Sequence, residues 1–434
     1  MSVSDLSTLR RTEALSNMNE AVSQSKTGID CLRIHKPRLP EFLAVDFYCG
    51  AGGTTRGLLD AGGYIICGID NDGRNRVTYQ SNNQNTTLDE AHPRFLAYDM
   101  FPARPDYPEG QQQEIWAELR ELIPRYRAAA IEKPLIFAIC APCQSFTRFI
   151  QRRLTGERIK NRDRDLNLLS LTLGFIAEFQ PEMVISENVA RIKTGQYRHI
   201  WSDFEVQLRE LGYSVGEDRV CASRFGVPQY RRRSVMLALK NENGYKQTFD
   251  LPIPDRNPDA PTLSAREAID HLPALESGGR CNNTTNHACL NLSDINRQRL
   301  MSVKPGEPNW GFSDTQFGDL SLPCHNRLAA KGNQGFGDSY TRLHPDRPAP
   351  TLTTRFNSVS NGRFGHYDEG QVRGLSLREG ATLQSFGDDY VFHGDSMGAI
   401  AKMIGNAVPP RLAAYMATWL LNRWRNQRSR VQNL

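Results

Sequence analysis

The chain has 434 residues and a formal net charge of +5, with 39% hydrophobic and 23% charged residues. This composition is typical of a water-soluble globular protein and argues against a membrane protein, because no stretch approaches the roughly 20 consecutive apolar residues that a spanning helix needs. The N-terminus lacks the charged-then-apolar pattern of a secretory signal, so we expect a cytoplasmic protein.

The length is sufficient for a large domain with a smaller one attached. Nine cysteines, an odd number scattered along the chain, predict free thiols rather than a disulfide framework. The mild positive charge permits a nucleic-acid partner but does not by itself predict one.

Residues 1–40 are polar and have no sustained apolar period, so we predict a loosely ordered leader there. From residue 41 onward, apolar strands alternate with helical patterns. The predicted strands are residues 42–48, 64–69, 94–98, 135–139, 183–186 and 234–239, and the predicted helices are residues 54–61, 74–81, 112–127, 165–179 and 197–211. This alternation predicts an α/β fold in which a mainly parallel sheet carries helices on both faces.

The composition of the sequence changes after residue 240, where glycine, proline and asparagine become frequent and the alternation of strands and helices is lost. We therefore predict a catalytic and cofactor-binding domain over residues 41–240 and a smaller, irregular domain over residues 241–342. Residues 343–434 regain an apolar pattern, with helices predicted at 378–384 and 411–424. We expect this last segment to return to the first domain.

Residues 45–53 read VDFYCGAGG, an apolar strand that runs into a glycine-rich turn. Such turns at the strand ends of an open parallel sheet bind nucleotide cofactors. The segment is not GxGxxG, and no Lys-Ser or Lys-Thr follows it as in a phosphate loop, which favours a cofactor without a pyrophosphate. Asp70 and Asp99 end the next two strands, where a carboxylate can accept hydrogen bonds from ribose hydroxyls or balance a cation. Each of these signals also has a structural explanation, as a tight turn or a helix cap.

Cys143 follows a predicted buried strand, in the segment CAPCQSFT at residues 140–147. A cysteine held there is a strong nucleophile once neighbouring cations such as Arg148 lower its pKa. The spacing of Cys140 and Cys143 also matches a redox dithiol, an alternative that the spacing leaves open. Glu187 ends the following strand, which predicts an acid beside the nucleophile in one pocket.

Together these residues resemble the DNA (cytosine-5) methyltransferases. Six segments are similar to motifs of that family and follow one another in the family's order: residues 46–53, Pro142-Cys143-Gln144, Glu187-Asn188-Val189, Gln229-Tyr230-Arg231-Arg232-Arg233, residues 347–353 and residues 405–409. Any one of these matches is weak, whereas six in order are specific.

The resemblance implies a Rossmann-like methyltransferase sheet with S-adenosylmethionine as the cofactor. It also implies that Cys143 attacks C6 of cytosine, that Glu187 holds and protonates N3, and that Arg233 lies at the pocket for the base. Arg231 belongs to the same catalytic motif, although it and Gln229 resemble scaffold residues. The implied cofactor-binding residues are Tyr48, Gly50, Gly52, Gly53, Asp70, Asn71, Asp99, Pro142, Asn406 and Val408.

The partner implied by the resemblance is double-stranded DNA, from which the target cytosine must be flipped out. Residues 148–164 are dense in arginine and resemble the family's catalytic loop. DNA contacts are therefore predicted for Gln144, Ser145, Arg148, Arg152 and Arg153. Residues 241–342 occupy the place of the family's target-recognition region. A cognate restriction endonuclease in the same system is a further implied partner, with no direct contact required.

The sequence departs from the usual family pattern at Tyr48, where phenylalanine is usual, at Cys140, close to a usual glycine, and at Thr147, where serine is usual. All three changes are conservative, although Cys140 adds a second thiol close to the first.

No metal site is predicted, because the histidines and cysteines between residues 281 and 325 match no standard zinc spacing. Two other functions stay open at this point. One is an RNA cytosine-5 methyltransferase, which shares the chemistry, and the other is a catalytically idle nucleic-acid-binding relative.

Overall fold

A seven-stranded sheet forms the centre of the computed structural model, which describes residues 39–88, 92–142, 166–194, 197–241, 248–254, 261–332 and 337–432. Residues 1–38 of the predicted leader lie outside the described residues. So does segment 143–165, which contains Cys143, Gln144, Ser145, Arg148, Arg152 and Arg153.

The strands of the central sheet are β1 (Phe42–Phe47), β2 (Gly63–Ile69), β3 (Arg94–Leu96), β4 (Leu135–Ile139), β5 (Met183–Val189), β6 (Tyr213–Cys221) and, after the short strand β7 (Gln229–Tyr230), β8 (Arg232–Lys240). Their order is β3-β2-β1-β4-β5-β8-β6. The strands from β3 to β5 are parallel, and β8 runs antiparallel to both of its neighbours. A second, two-stranded sheet pairs β7 with β9 (Ala349–Pro350).

Helices cover both faces of the sheet, which confirms the predicted α/β fold. Their bounds are α1 (Gly53–Asp60), α2 (Arg76–Asn82), α3 (Gln112–Ala129), α4 (Leu168–Phe179), α5 (Arg198–Glu210), α6 (Ala265–Ile269), α7 (Asp294–Met301), α8 (Pro323–Ala329), α9 (Leu377–Leu383), α10 (Met397–Asn406) and α11 (Pro410–Gln432). On one face, α3, α4 and α5 bury apolar side chains against the sheet, and on the other face α1 and α11 do so. No helix in the described part of the chain is long and apolar enough to cross a membrane.

The carboxyl ends of the five parallel strands lie along one edge of the sheet, where open α/β sheets bind their ligands. Because β8 is antiparallel to β5, it begins at this same edge, and Arg233 pairs with Val189 across the two strands. The topology therefore brings the start of β8 beside the ends of β4 and β5.

Buried arginines support the irregular part of the chain that follows β8. Arg342 donates hydrogen bonds to the carbonyl oxygens of Leu300, His366 and Asp368. Arg378 donates to the carbonyl oxygens of Thr285, Gly387 and Tyr390. Carbonyl groups buried in loops lack the partners that helices and sheets supply, so a guanidinium with five donors satisfies several at once.

Hydrophobic contacts cross the boundary predicted at residue 342. Ala265 and Ile269 share a buried cluster with Leu383 and Ile404, and Leu300 packs in a smaller cluster with residue 359. The described residues of Leu39–Leu434 form one compact unit. A separate domain over residues 241–342 therefore stays a prediction.

Candidate functional site

A cavity of about 510 Å³ opens at the carboxyl edge of the sheet. Its walls come from the turns after β1 and β2, from the ends of β4 and β5, from the start of β8, and from α10 with the residues on either side of it. The predicted site residues that line the cavity are Tyr48, Gly50, Gly53, Asp70, Asn71, Pro142, Glu187, Arg231, Arg233, Asn406 and Val408.

The glycine-rich turn closes against the C-terminal segment. A β-carbon added at Gly53 would lie 2.4 Å from the carbonyl oxygen of Val408, and one added at Gly57 would lie 2.3 Å from that of Pro410. Only glycine permits such a close backbone approach. The segment around Val408 and Pro410 therefore lies against the turn and α1, and Val408 forms part of the cavity wall.

Asp70 supports the glycine-rich turn and also faces the cavity. One carboxylate oxygen accepts a hydrogen bond from the backbone N–H of Gly50 at 3.0 Å, and the other accepts from the N–H of Asp72 at 2.9 Å. Burial raises the pKa of Asp70, and the hydrogen bonds from Asp72 and Gly50 oppose that rise. Each oxygen has two lone pairs, so the side chain retains acceptor capacity toward a ligand.

Asp46 lies beneath the turn, fully buried near the end of β1. The hydroxyl of Thr55 donates to it at 2.6 Å. Burial nevertheless raises the pKa of Asp46 to about 7, with nearby Asp70 adding to the rise. Burial therefore favours the neutral form of this carboxyl, which limits the negative charge under the turn.

Glu187 and Arg233 form an ion pair at the inner end of the cavity. The guanidinium Nε of Arg233 lies 2.7 Å from Oε1 of Glu187, and both side chains are about nine-tenths buried. The pair faces the end of β4, where Cys140, Ala141 and Pro142 line the same cavity. A buried carboxylate held by one arginine keeps its second oxygen for another partner.

Cys140 lies partly buried between the turn and the ion pair, with the hydroxyl of Thr54 3.7 Å from its sulfur. Desolvation raises the pKa of its thiol well above the usual range, and the nearby carboxylate of Glu187 raises it further.

Arg231 lines the cavity, and its guanidinium forms hydrogen bonds with main-chain carbonyl groups. Its guanidinium donates to the carbonyl oxygen of Gly405 at 3.2 Å and to that of Ala407 at 3.0 Å. Gln229 also binds the main chain, because its side-chain oxygen accepts a hydrogen bond from the N–H of Leu352 at 3.0 Å. Both side chains therefore join separate stretches of main chain, and their roles in the reaction stay predictions.

Two of the predicted cofactor-binding residues do not line the cavity. Gly52 lies behind the turn, where an added β-carbon would be 2.4 Å from the side chain of Asn83. The carboxylate of Asp99 accepts hydrogen bonds from the Phe101 N–H and the Tyr107 hydroxyl, each at 2.8 Å, so it supports the loop after β3.

Part of the outer rim of the cavity was not predicted from the sequence. It is formed by His393, Asp395 and Lys402. His393 is fixed by Thr78 of α2, whose hydroxyl accepts from the His393 N–H at 2.8 Å. Lys402 lies on α10, which follows an N-cap serine, Ser396. That serine, followed by apolar residues at 397, 400, 401 and 404, is a readable helix signal.

In the described ranges, no group of three or more histidine, cysteine, aspartate or glutamate side chains is arranged to hold a metal ion. His287 is instead bonded to the Ser376 hydroxyl at 2.9 Å and to the Pro273 carbonyl oxygen at 2.7 Å.

The lining of the cavity suits S-adenosylmethionine. This cofactor is a zwitterion with a sulfonium, and the walls provide both acidic side chains, Asp70, Asp72 and Asp395, and basic ones, Arg74 and Lys402. The volume lies within the range of roughly 300–1,000 Å³ that is usual for small-molecule sites.

Comparison with known proteins gives a consistent result. Residues 116–422 match the model of the C-5 cytosine-specific DNA methylase family. The type II methylase M.HgiDII of Herpetosiphon aurantiacus is 30% identical over 376 residues, which cover 86% of this chain and 93% of that protein. The type II methyltransferase M.NgoFVII of Neisseria gonorrhoeae is 29% identical over 287 residues, which cover 64% of this chain and 67% of that one.

Solved structures share the fold. A putative DNA modification methyltransferase encoded in an E. coli prophage superposes with a TM-score of 0.57 at 18% identity and covers 89% of this chain and 99% of its own. The S. pombe Dnmt2 methyltransferase gives a TM-score of 0.52 at 14% identity, covering 88% of this chain and 98% of its own. The sheet, the cavity at its carboxyl edge and the match over residues 116–422 agree: the chain belongs to the C-5 cytosine-specific DNA methylases and is a DNA (cytosine-5-)-methyltransferase that uses S-adenosylmethionine.

Proposed function

We propose that this enzyme methylates C5 of a cytosine flipped out of duplex DNA at a specific sequence, through a covalent adduct between Cys143 and C6 of the base. The observation that carries the proposal is the buried pair of Glu187 and Arg233. It lines the same cavity as residues 140–142, which follow β4 and end one residue before Cys143. A nucleophile, an acid and a cation are thereby assigned to one pocket.

In this proposal the cavity would hold the cofactor. Asp70 would accept hydrogen bonds from the ribose hydroxyls, and the turn at Tyr48, Gly50 and Gly53 would form part of the binding wall. Asn71, Pro142, Asn406 and Val408 complete the walls. When bound, S-adenosylmethionine supplies an electrophilic methyl group. Gly52 and Asp99 act indirectly, since Gly52 belongs to the turn and Asp99 supports the loop after β3.

Cys143 acts first in this scheme. Its thiolate forms a bond to C6, and Glu187 donates a proton to N3, so the electron pair of the C5–C6 double bond becomes available at C5. Once C5 has taken up the methyl group, the cofactor would leave as S-adenosylhomocysteine. A base such as water then removes the proton from C5, the bond between C6 and sulfur breaks, and N3 returns its proton to Glu187, which restores the aromatic base and the thiolate. Covalent activation divides one difficult step into easier ones. Arg233 holds the Glu187 side chain in place throughout, and Arg231 fixes the backbone behind it.

A base inside a duplex cannot reach such a pocket, so it must be extruded, at a cost of a few kcal/mol that contacts with the rest of the DNA offset. We assign these contacts to Gln144, Ser145, Arg148, Arg152 and Arg153, because basic side chains close to the nucleophile can bind the flanking phosphates.

We assign the reading of the DNA sequence to residues 241–342. The similar proteins M.HgiDII and M.NgoFVII are named type II enzymes, which supports a restriction-modification system with a cognate endonuclease. Because its substrate is DNA, we place the enzyme in the cytoplasm beside the chromosome.

The first prediction concerns Cys143. Cys143→Ala should abolish methyl transfer and leave the affinity for S-adenosylmethionine within about twofold, because the thiol forms the adduct while the cofactor walls are built from other residues. Transfer of a radiolabelled methyl group to DNA and calorimetric titration of the cofactor measure the two effects. Cys221→Ala, at a free cysteine that lies outside residues 241–342 and does not line the cavity, is the matched control and should retain activity. Activity of Cys143→Ala close to that of the natural enzyme would remove Cys143 from its role.

The second prediction concerns Asp70. Asp70→Ala should weaken cofactor binding about ten- to a hundredfold, because a hydrogen bond to a charged acceptor contributes roughly 1.5–3 kcal/mol. Asp70→Asn keeps an acceptor for the Gly50 N–H and should weaken binding less. Asp60→Ala, on the exposed side of α1, is the control. If calorimetry gave one dissociation constant for all of these proteins, the ribose would have to bind elsewhere.

The third prediction concerns sequence specificity. Exchanging residues 241–342 for the matching span of a relative with a different target should move methylation to the relative's site, because Cys143, Glu187 and Arg233 lie outside the exchanged span. Bisulfite sequencing of DNA from cells that express the chimera reports the methylated site. Since α6 and α7 share apolar clusters with residues beyond 342, a second chimera with the exchange extended to residue 393 guards against misfolding. Chimeras that methylate only the original site would place recognition in the core.

A further inference from the structure

Tyr48 contributes to the cavity and to a contact outside it. It follows the last residue of β1 and has a left-handed backbone, with φ of 62°, which is unusual for a residue other than glycine. The side chain lines the cavity, and its hydroxyl donates a hydrogen bond of 2.5 Å to the carbonyl oxygen of Leu168.

Leu168 is the first residue of α4 and lies three residues beyond the end of segment 143–165. The helix packs directly on the strand that precedes Tyr48, since the rings of Phe175 and Phe47 have centroids 5.6 Å apart. The start of α4 is therefore held against the end of β1 by apolar packing and by one directed hydrogen bond.

The chain that precedes segment 143–165 contacts Phe47, the residue before Tyr48. The N–H of Cys140 donates to the carbonyl oxygen of Phe47 at 3.4 Å, and Asn188 donates to the carbonyl oxygen of Ala141 at 3.2 Å. Two consecutive residues, Phe47 and Tyr48, thus bind Cys140 and Leu168, the described residues on either side of segment 143–165.

The hydroxyl of Tyr48 is a dependable donor. Burial raises the pKa of this tyrosine well above its usual range, and the carboxylate of Asp99 raises it further, so the group stays protonated at any working pH. A phenylalanine, the residue usual at this position in the family that the chain resembles, would keep the aromatic wall and lack the bond.

We propose that Tyr48 is a positioning residue, whose ring forms part of the cofactor wall while its hydroxyl fixes the start of α4, so that the cofactor and the segment bearing the nucleophile share one support. The proposal rests on the assignment of Cys143 as the nucleophile. It differs from a role in cofactor binding, because the hydroxyl is directed at the main chain of α4.

The test compares Tyr48→Phe with Tyr213→Phe in the full chain. Tyr213 provides a matched control: it is fully buried and donates an equivalent hydrogen bond of 2.6 Å to a main-chain carbonyl oxygen, that of Pro181. Pro181 precedes β5, at the opposite edge of the sheet from the cavity. Both variants lose one hydroxyl and should lower the melting temperature by similar amounts.

Only Tyr48→Phe should slow the chemistry. With excess enzyme, unmethylated genomic DNA and labelled cofactor, its single-turnover rate should fall about two- to tenfold, the effect of losing one hydrogen bond. The dissociation constant for S-adenosylmethionine, measured by calorimetry, should change less than twofold because the ring remains. Hydrogen exchange of peptides from the first turn of α4 should become faster, while peptides from α5 should not change.

An unchanged rate for Tyr48→Phe, or an equal loss for Tyr213→Phe, would overturn the proposal. A loss of cofactor affinity as large as the loss of rate would also overturn it, since the hydroxyl would then act on the cofactor itself. Because hydrogen exchange does not depend on methyl transfer, it reports on the contact between Tyr48 and α4 separately from the chemistry. Failure of the nucleophile assignment would instead be seen as activity in Cys143→Ala, whatever the result at Tyr48.

Discussion

The guanidinium of Arg231 joins the two distant parts of the chain that enclose the cavity. It is buried beside β8 and donates to the carbonyl oxygens of Gly405 and Ala407, at the end of α10. Gly405 lies in the last turn of α10 and Ala407 directly after it, so neither carbonyl has a partner within the helix, and a buried donor satisfies groups that would otherwise be costly to bury. Arg233, two residues further along the chain, holds Glu187. Residues 231–233, at the start of β8, therefore fix both the cofactor wall and the acid.

Hydrogen bonds from side chains to main-chain groups also stabilise the irregular part of the chain that follows β8. Arg342 and Arg378 each bind carbonyl oxygens from several loops, and Asn286 pairs with both the N–H and the carbonyl of Phe392. Side chains that satisfy main-chain groups replace the ladder of a sheet and allow loops to pack against the sheet domain. The outer rim at His393 is positioned in this way, by contacts with α2 more than 300 residues earlier in the chain.

Much of the fold and part of the site follow from local sequence patterns. Apolar strands of a parallel sheet end at one edge. The sequence predicted Asp70 at the cofactor and Glu187 beside the nucleophile, each after or near the end of such a strand, and the structure places both in the lining of one cavity. Strand β6 and helix α10 were not predicted, although Gly212 as a helix terminator and Ser396 as an N-cap mark their starts. The hydrogen bonds of Asp99 with Phe101 and Tyr107 could not be predicted, because the loop that bends them together has no periodic pattern.

The central claim is that Cys143 adds to C6 of a cytosine in duplex DNA while Glu187 and Arg233 hold the base. Duplex DNA from cells grown to incorporate 5-fluorocytosine tests it most directly, because fluorine at C5 prevents the elimination that releases the enzyme. The account predicts a stable protein–DNA adduct that requires S-adenosylmethionine, with mass spectrometry placing the modified nucleotide on Cys143 and no adduct for Cys143→Ala. An adduct on another residue, or none on duplex DNA while RNA containing 5-fluorocytosine is trapped, would contradict it.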